Sequence, residues 1–185
     1  MTVGAVPRAR ARAGARAAVP TLAIACGCVA LATRPHAWRS SGTLVLVGAL
    51  ALLGDVPVRE RTARACVWLS AVALGIGAFA LVRMIDLPLA RPFTVAVASM
   101  NVLAAVAEEA FFRRYAYGWL VRWGSAVAIA VTGVLFALVH VPQYGWGVAP
   151  LDLAAGLLLG WQRMTTGTWT APAATHAVAN LLQMG

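Results

Sequence analysis

Apolar residues in this chain come in long runs, separated by short clusters of arginine, proline, glycine and tryptophan. Seven runs stand out: Ala17–Thr33, Ser41–Gly54, Ala65–Ile85, Phe93–Tyr117, Ser125–His140, Val148–Met164 and Thr170–Met184. A helix that crosses a bilayer needs about 20 apolar residues, with a range of about 17–25. The second, fifth and seventh runs are short, so they are expected to be tilted, extended at their ends or partial. No repeat or low-complexity linker divides the chain. The pattern predicts an all-α protein, a polytopic transmembrane helix bundle of about seven apolar segments. Residues 1–16 form a basic Ala/Arg tail that reads as disordered, and 17–92 read as N-terminal transmembrane helices.

Composition agrees with a membrane protein. The chain has 185 residues, 61% hydrophobic, with mean hydropathy +0.79 and only 11% charged. A soluble domain carries about 25% charged residues. The net charge is +9, and all fifteen basic residues are arginine. They lie between the apolar runs and form no patch on a soluble surface, so the charge points to membrane topology and not to nucleic acid. With the N-terminus in the cytoplasm, alternation places Arg8, Arg10, Arg12, Arg16, Arg59, Arg61, Arg64, Arg113, Arg114, Arg122 and Arg163 inside. Arg34, Arg39, Arg83 and Arg91 fall outside. That bias predicts a multi-pass protein of the cell membrane with a cytoplasmic N-terminus. The tryptophans fall near segment ends, as an interfacial belt places them. The first segment has the Arg-rich flank and Ala30-Leu31-Ala32 of a signal peptide, but in so apolar a chain it reads as an uncleaved helix. Cys26, Cys28 and Cys66 have no ligand or disulfide spacing and read as small buried hydrophobes.

Polar residues inside the apolar runs change this picture. The chain has six acidic residues, and two of them, Glu108 and Glu109, are adjacent in the fourth run. Carboxylates at membrane depth are costly and mark a functional site by default. On a helix Glu109 and Arg113 share a face, whereas Glu108 is rotated by about 100°. The simplest division neutralises Glu109 with Arg113 and points Glu108 into a cavity; the alternative for the ion pair is packing alone. Phe136 and His140 share a face of the fifth run, with Pro142 ending the helix soon after. His176 and Asn180 share a face of the seventh. Each histidine read singly is also consistent with an interfacial residue or a helix-to-helix hydrogen bond. Together they supply a carboxylate, two imidazoles and an amide, which can activate water and stabilise an oxyanion. The zinc-protease pattern H-E-x-x-H and the nucleophile elbow G-x-S-x-G are absent from the sequence.

In order and spacing, the E-E-x-x-x-R of Glu108, Glu109 and Arg113, the F-x-x-x-H of Phe136 and His140, and the H-x-x-x-N of His176 and Asn180 resemble the CAAX prenyl protease and bacteriocin-processing (CPBP, or Abi) family of intramembrane endopeptidases. Gly156–Gly160 and Thr166–Trp169 resemble the lead-in to its last motif. The resemblance covers about Val95 to Gln183 and implies a catalytic helical core over 93–185. It implies that Glu108 is the general base, helped by His140; that His176 and Asn180 stabilise the oxyanion; and that Glu109 with Arg113 supports the base. It leaves the cofactor open: a divalent metal such as zinc on Glu108, His140 and His176, or none. The implied partners are a peptide or protein substrate in the membrane and the lipid bilayer. Two other readings stand beside it: a non-catalytic membrane immunity or scaffold protein, and a small proton-coupled transporter with Glu108 as proton carrier. Substrate identity and oligomeric state are not specified by any of these residues.

Overall fold

The computed structural model describes residues 6–34, 41–58, 60–61, 63–85 and 94–184, with 6–18 described in backbone only. His36, which belongs to none of the motifs, lies outside the described residues, as do Arg39, Arg59 and Arg91. The described residues form helices joined by short turns, with no extended sheet. They are α1 (Val6–Ala32), α2 (Ser41–Leu53), α3 (Ala65–Ile85) and α4 (Val95–Glu109), followed by α5 (Tyr117–Leu120), α6 (Ser125–Tyr144), α7 (Ala149–Thr166) and α8 (Thr170–Leu182). A π-helical stretch, Ala110–Ala116, joins α4 to α5, and a 3-10 turn over Val121–Trp123 completes one rod from Val95 to Trp123.

Each of the seven apolar runs becomes a helical rod, but the rods are not equal. Among the described residues three are long and apolar enough to cross a membrane: Ala65–Met84, Val95–Trp123 and Ser125–Tyr144. The expectation of about seven spans is corrected to three of that kind. The reason is length and polarity. At 1.5 Å per residue, the 13 residues of α2 and of α8 cover only about 20 Å. α7 carries Asp152, Gln162 and Arg163 within its 18 residues. α1 begins at Val6, inside the segment that composition reads as a disordered tail. α6 runs two residues past Pro142, and Gly145 ends it at φ +81°, a conformation that favours glycine. The cysteines are free, but Cys26 and Cys66 are exposed and not buried as expected.

The centre of the bundle is the second half of α4 and the π-helical stretch. Residues 107–113 are all buried, which no single helical face allows, so other helices surround this rod. α2 packs on one side and α8 on another, while α1 and α6 close the rest. Leu31, Leu44, Val47, Phe111, Phe112, Phe136 and Val139 form the apolar core around it. Leucine and valine side chains on outer faces, such as Leu46, Leu50, Leu69, Leu74 and Leu138, stay exposed, as lipid contact requires.

Small residues set the helix spacing. A Cβ on Gly156 of α7 would lie 2.8 Å from the Gly133 Cα of α6, so backbones touch there. Gln162 ties α7 to its neighbours, its Nε2 donating to the Ala71 carbonyl of α3 at 2.7 Å and to Thr175 Oγ1 of α8 at 2.9 Å. Replacing Gly156 with Ala must push α6 and α7 apart. It is expected to cost about 1–3 kcal/mol, seen as a lower unfolding midpoint in detergent, whereas Gly147→Ala, which meets open space, leaves the midpoint unchanged.

Candidate active site

Glu108 sits at the wall of a cavity of about 560 Å³ that is also lined by His140, His176 and Asn180. Three of these four side chains converge. Glu108 Oε2 lies 3.7 Å from His140 Nε2 and 4.0 Å from His176 Nε2. These gaps exceed a direct hydrogen bond, so the three atoms face a shared point without closing it. Asn180 lines the same cavity, but its Nδ2 donates to the Asn101 backbone carbonyl at 3.2 Å.

The second contacts of the two imidazoles set their direction. His140 Nδ1 is 2.8 Å from the Phe136 carbonyl, one turn earlier on α6. His176 Nδ1 is 3.0 Å from Glu109 Oε1. In each ring Nδ1–H donates to an oxygen, which leaves Nε2 turned toward Glu108. Phe136 wedges between them, its ring 4.7 Å from His140 and 5.5 Å from His176, edge to face in both pairs. The F-x-x-x-H spacing thus places a carbonyl and a ring on one histidine and a ring on the other.

Glu109 is divided between two partners. Its Oε2 lies 3.2 Å from Arg113 Nε, both side chains fully buried, while Oε1 holds His176. Arg113 also donates from Nη2 to the Gly156 carbonyl at 3.2 Å and lies over the Phe136 ring at 5.2 Å. It stands beside Glu109 and away from the cavity, as its spacing implied. The π-helical stretch that carries it was not legible in the motif. Phe111, Phe112 and Arg113 are all buried within it, and π-helical turns occur often at functional sites.

Two residues enter the site that the sequence reading did not place there. Arg34, assigned to an outer loop, pairs through Nη1 with Glu108 Oε1 and lines the cavity. Asp152, in the first turn of α7, lies with Oδ2 3.7 Å from His140 Nδ1. Asp152 carried a signal, since it is one of only six acidic residues and falls in an apolar run. Arg34 carried none, because a basic residue after an apolar helix is what topology alone produces.

A metal on Glu108, His140 and His176 is not supported by this placement. Among the described residues no group of three His, Cys, Asp or Glu side chains has the spacing to hold a metal ion. The carboxylate that would supply a ligand already bears the Arg34 cation.

Among the described residues a helical, membrane-type bundle thus holds a buried Glu/His cluster in the wall of its cavity. The model of the type II CAAX prenyl endopeptidase Rce1-like family matches residues 90–182, just over half of the 185 residues, and the chain belongs to that family. No curated protein and no solved structure matches it. Family membership supports a CAAX protease-type hydrolase acting on peptide substrates in the membrane. Arg34 lies outside the matched residues, whereas Asp152 lies within them.

The two glutamates should separate by experiment. Glu108→Gln removes one carboxylate charge from the cavity wall and should lower turnover by about 10²–10⁴ with near-normal folded yield. Glu109→Gln leaves Arg113 buried without its partner and is expected to cost about 3–5 kcal/mol, read as reduced folded yield on size-exclusion chromatography as well as lost turnover.

Proposed function

We propose that this protein is an intramembrane endopeptidase that hydrolyses peptide bonds of membrane-associated substrates with a glutamate-activated water. The observation that carries the reading is the convergence of Glu108 Oε2 with Nε2 of both His140 and His176 on one cavity. Those gaps suit a water between the groups, each within about 2.6–3.2 Å of it. Glu108 takes the water proton as hydroxide adds to the scissile carbonyl. His176, as an imidazolium between the two carboxylates, keeps Nδ1–H on Glu109 and offers Nε2–H to the developing oxyanion, and the free N–H of Asn180 adds a second donor. The proton passes from Glu108 to His140 Nε2 and then to the leaving amine as the C–N bond breaks. Asp152 faces the ring while it is charged. Glu109 and Arg113 hold the base helix and His176 in register.

Arg34 must release Glu108, or share it, for the carboxylate to accept a proton. The immunity or scaffold reading needs none of this convergence.

The test is cleavage of a peptide library by the detergent-solubilised chain, with products mapped by mass spectrometry against Glu108→Gln. Cuts present with the wild type and missing with the variant are expected, and equal product patterns would remove the endopeptidase reading. Cleavage should persist after dialysis against a chelator, because Arg34 already supplies a positive charge beside Glu108. Asp152→Asn should lower the rate on a peptide amide by about 10²-fold and change a 4-nitrophenyl ester of the same acyl peptide little, because that leaving group needs no proton. Equal losses on both would show that Asp152 has only a packing role.

A further inference from the structure

The cavity is built from one end of the bundle. Each helix that reaches it does so from the same side: Arg34 follows α1, Leu44 opens α2, Val97 opens α4, Tyr144 closes α6, Asp152 opens α7 and Asn180 nears the end of α8. Val97 and Tyr144 at its rim are exposed, so this end is the mouth.

The other end is closed by a different set of contacts. Arg114 Nη1 binds the carbonyls of Ala51 and Gly54, Trp119 Nε1 donates to the Asp55 carbonyl at 2.9 Å, and Ala63 N–H donates to the Thr166 carbonyl at 2.9 Å. Cationic residues gather here. Arg61, Arg64, Arg114 and Arg122 lie at this end, Arg122 stacked 4.0 Å from the Trp123 ring. Pro20 and Thr21 of α1 line a groove with Trp119 and Trp123, so the earlier turns that carry Arg8, Arg10, Arg12 and Arg16 run on past this end. At the mouth, the described arginines are Arg34, neutralised by Glu108, and Arg83, whose Nε donates to the Leu182 carbonyl at 2.8 Å. Arginine excess marks the cytoplasmic side of a membrane protein.

We propose that the cavity opens on the extracytoplasmic face, and that its substrates are extracytoplasmic segments of membrane or exported proteins. This rests on the endopeptidase reading for the word substrate, but the direction of the mouth does not. A lipid-modified cytoplasmic tail would approach from the wrong side.

The direction is tested in intact bacterial cells that express the full chain, with Cys26, Cys28 and Cys66 replaced by Ala. Trp146→Cys reports the mouth and Trp123→Cys the closed end; both positions are exposed. A membrane-impermeant maleimide should label Trp146→Cys in intact cells and Trp123→Cys only in inverted vesicles. The reverse pattern, or labelling of Trp146→Cys only after the membrane is opened, overturns the proposal. Alkaline phosphatase, active only outside the cytoplasm, fused behind Gln183 on the otherwise unaltered chain should be active, because α8 ends at the mouth; an inactive but intact fusion overturns it as well. Neither readout needs turnover, so the direction and the hydrolase reading fail separately. Spheroplasts given an impermeant peptide that the solubilised chain cleaves should cut it from outside, and those with Glu108→Gln should not. Cleavage confined to inverted vesicles overturns the substrate class.

Discussion

Glu109 and Arg113 are fully buried and 3.2 Å apart, and the rest of the site hangs on that pair. Neither charge survives alone in an apolar interior, because the attraction between them and their hydrogen bonds must offset the cost of removing both from water. The protein meets this with further contacts. Arg113 reaches the Gly156 carbonyl and the face of Phe136, and Glu109 reaches His176. The pair therefore joins α4 to α6, α7 and α8 through polar contacts of fixed geometry. The close approach of α7 to α6 at Gly156 and Gly133 brings the Gly156 carbonyl within reach of the guanidinium. Packing and electrostatics are one constraint here.

From that anchor the chemistry follows by small rotations. Glu108 is one residue away and turned toward the cavity, where it meets two imidazoles whose outer nitrogens are already engaged. A second layer surrounds this cluster. Arg34 balances Glu108, and Asp152 stands behind His140. Carboxylates and their partners thus alternate through the site: Glu109 between Arg113 and the His176 ring, Glu108 between Arg34 and the two imidazoles. In a low-dielectric interior such alternation keeps each charge near an opposite one.

The N-terminal helices take part in this site although they carry no motif. α1 delivers Arg34, α2 packs against the buried stretch of α4, and Leu31 accepts from Gln143 Nε2 at 3.1 Å through its carbonyl. The matched family residues begin at 90, yet the cavity wall includes Leu44 and Phe79. The cavity lining thus reaches beyond the motif-bearing residues into the N-terminal helices.

The sequence by itself determined the helical class, the seven rods and the membrane character, because long apolar runs leave the backbone no solution but internal hydrogen bonding. It also determined which polar residues would be forced inward, since Glu108, Glu109, Arg113, His140 and His176 interrupt runs that have no other reason to hold them. Spacing of four residues was enough to pair Glu109 with Arg113 and Phe136 with His140, because one turn of helix is a local property. Only the tertiary structure decided the rest. The π-helical turn at Ala110–Ala116, the hydrogen bond between His176 and Glu109 and the entry of Arg34 and Asp152 join residues that are distant in sequence or depend on a change of helical pitch. The number of rods able to span a bilayer was also decided there, since the short α2 and α8 are placed by their neighbours and not by their own length. Local periodicity cannot encode such contacts, because they exist only once the helices have chosen their partners.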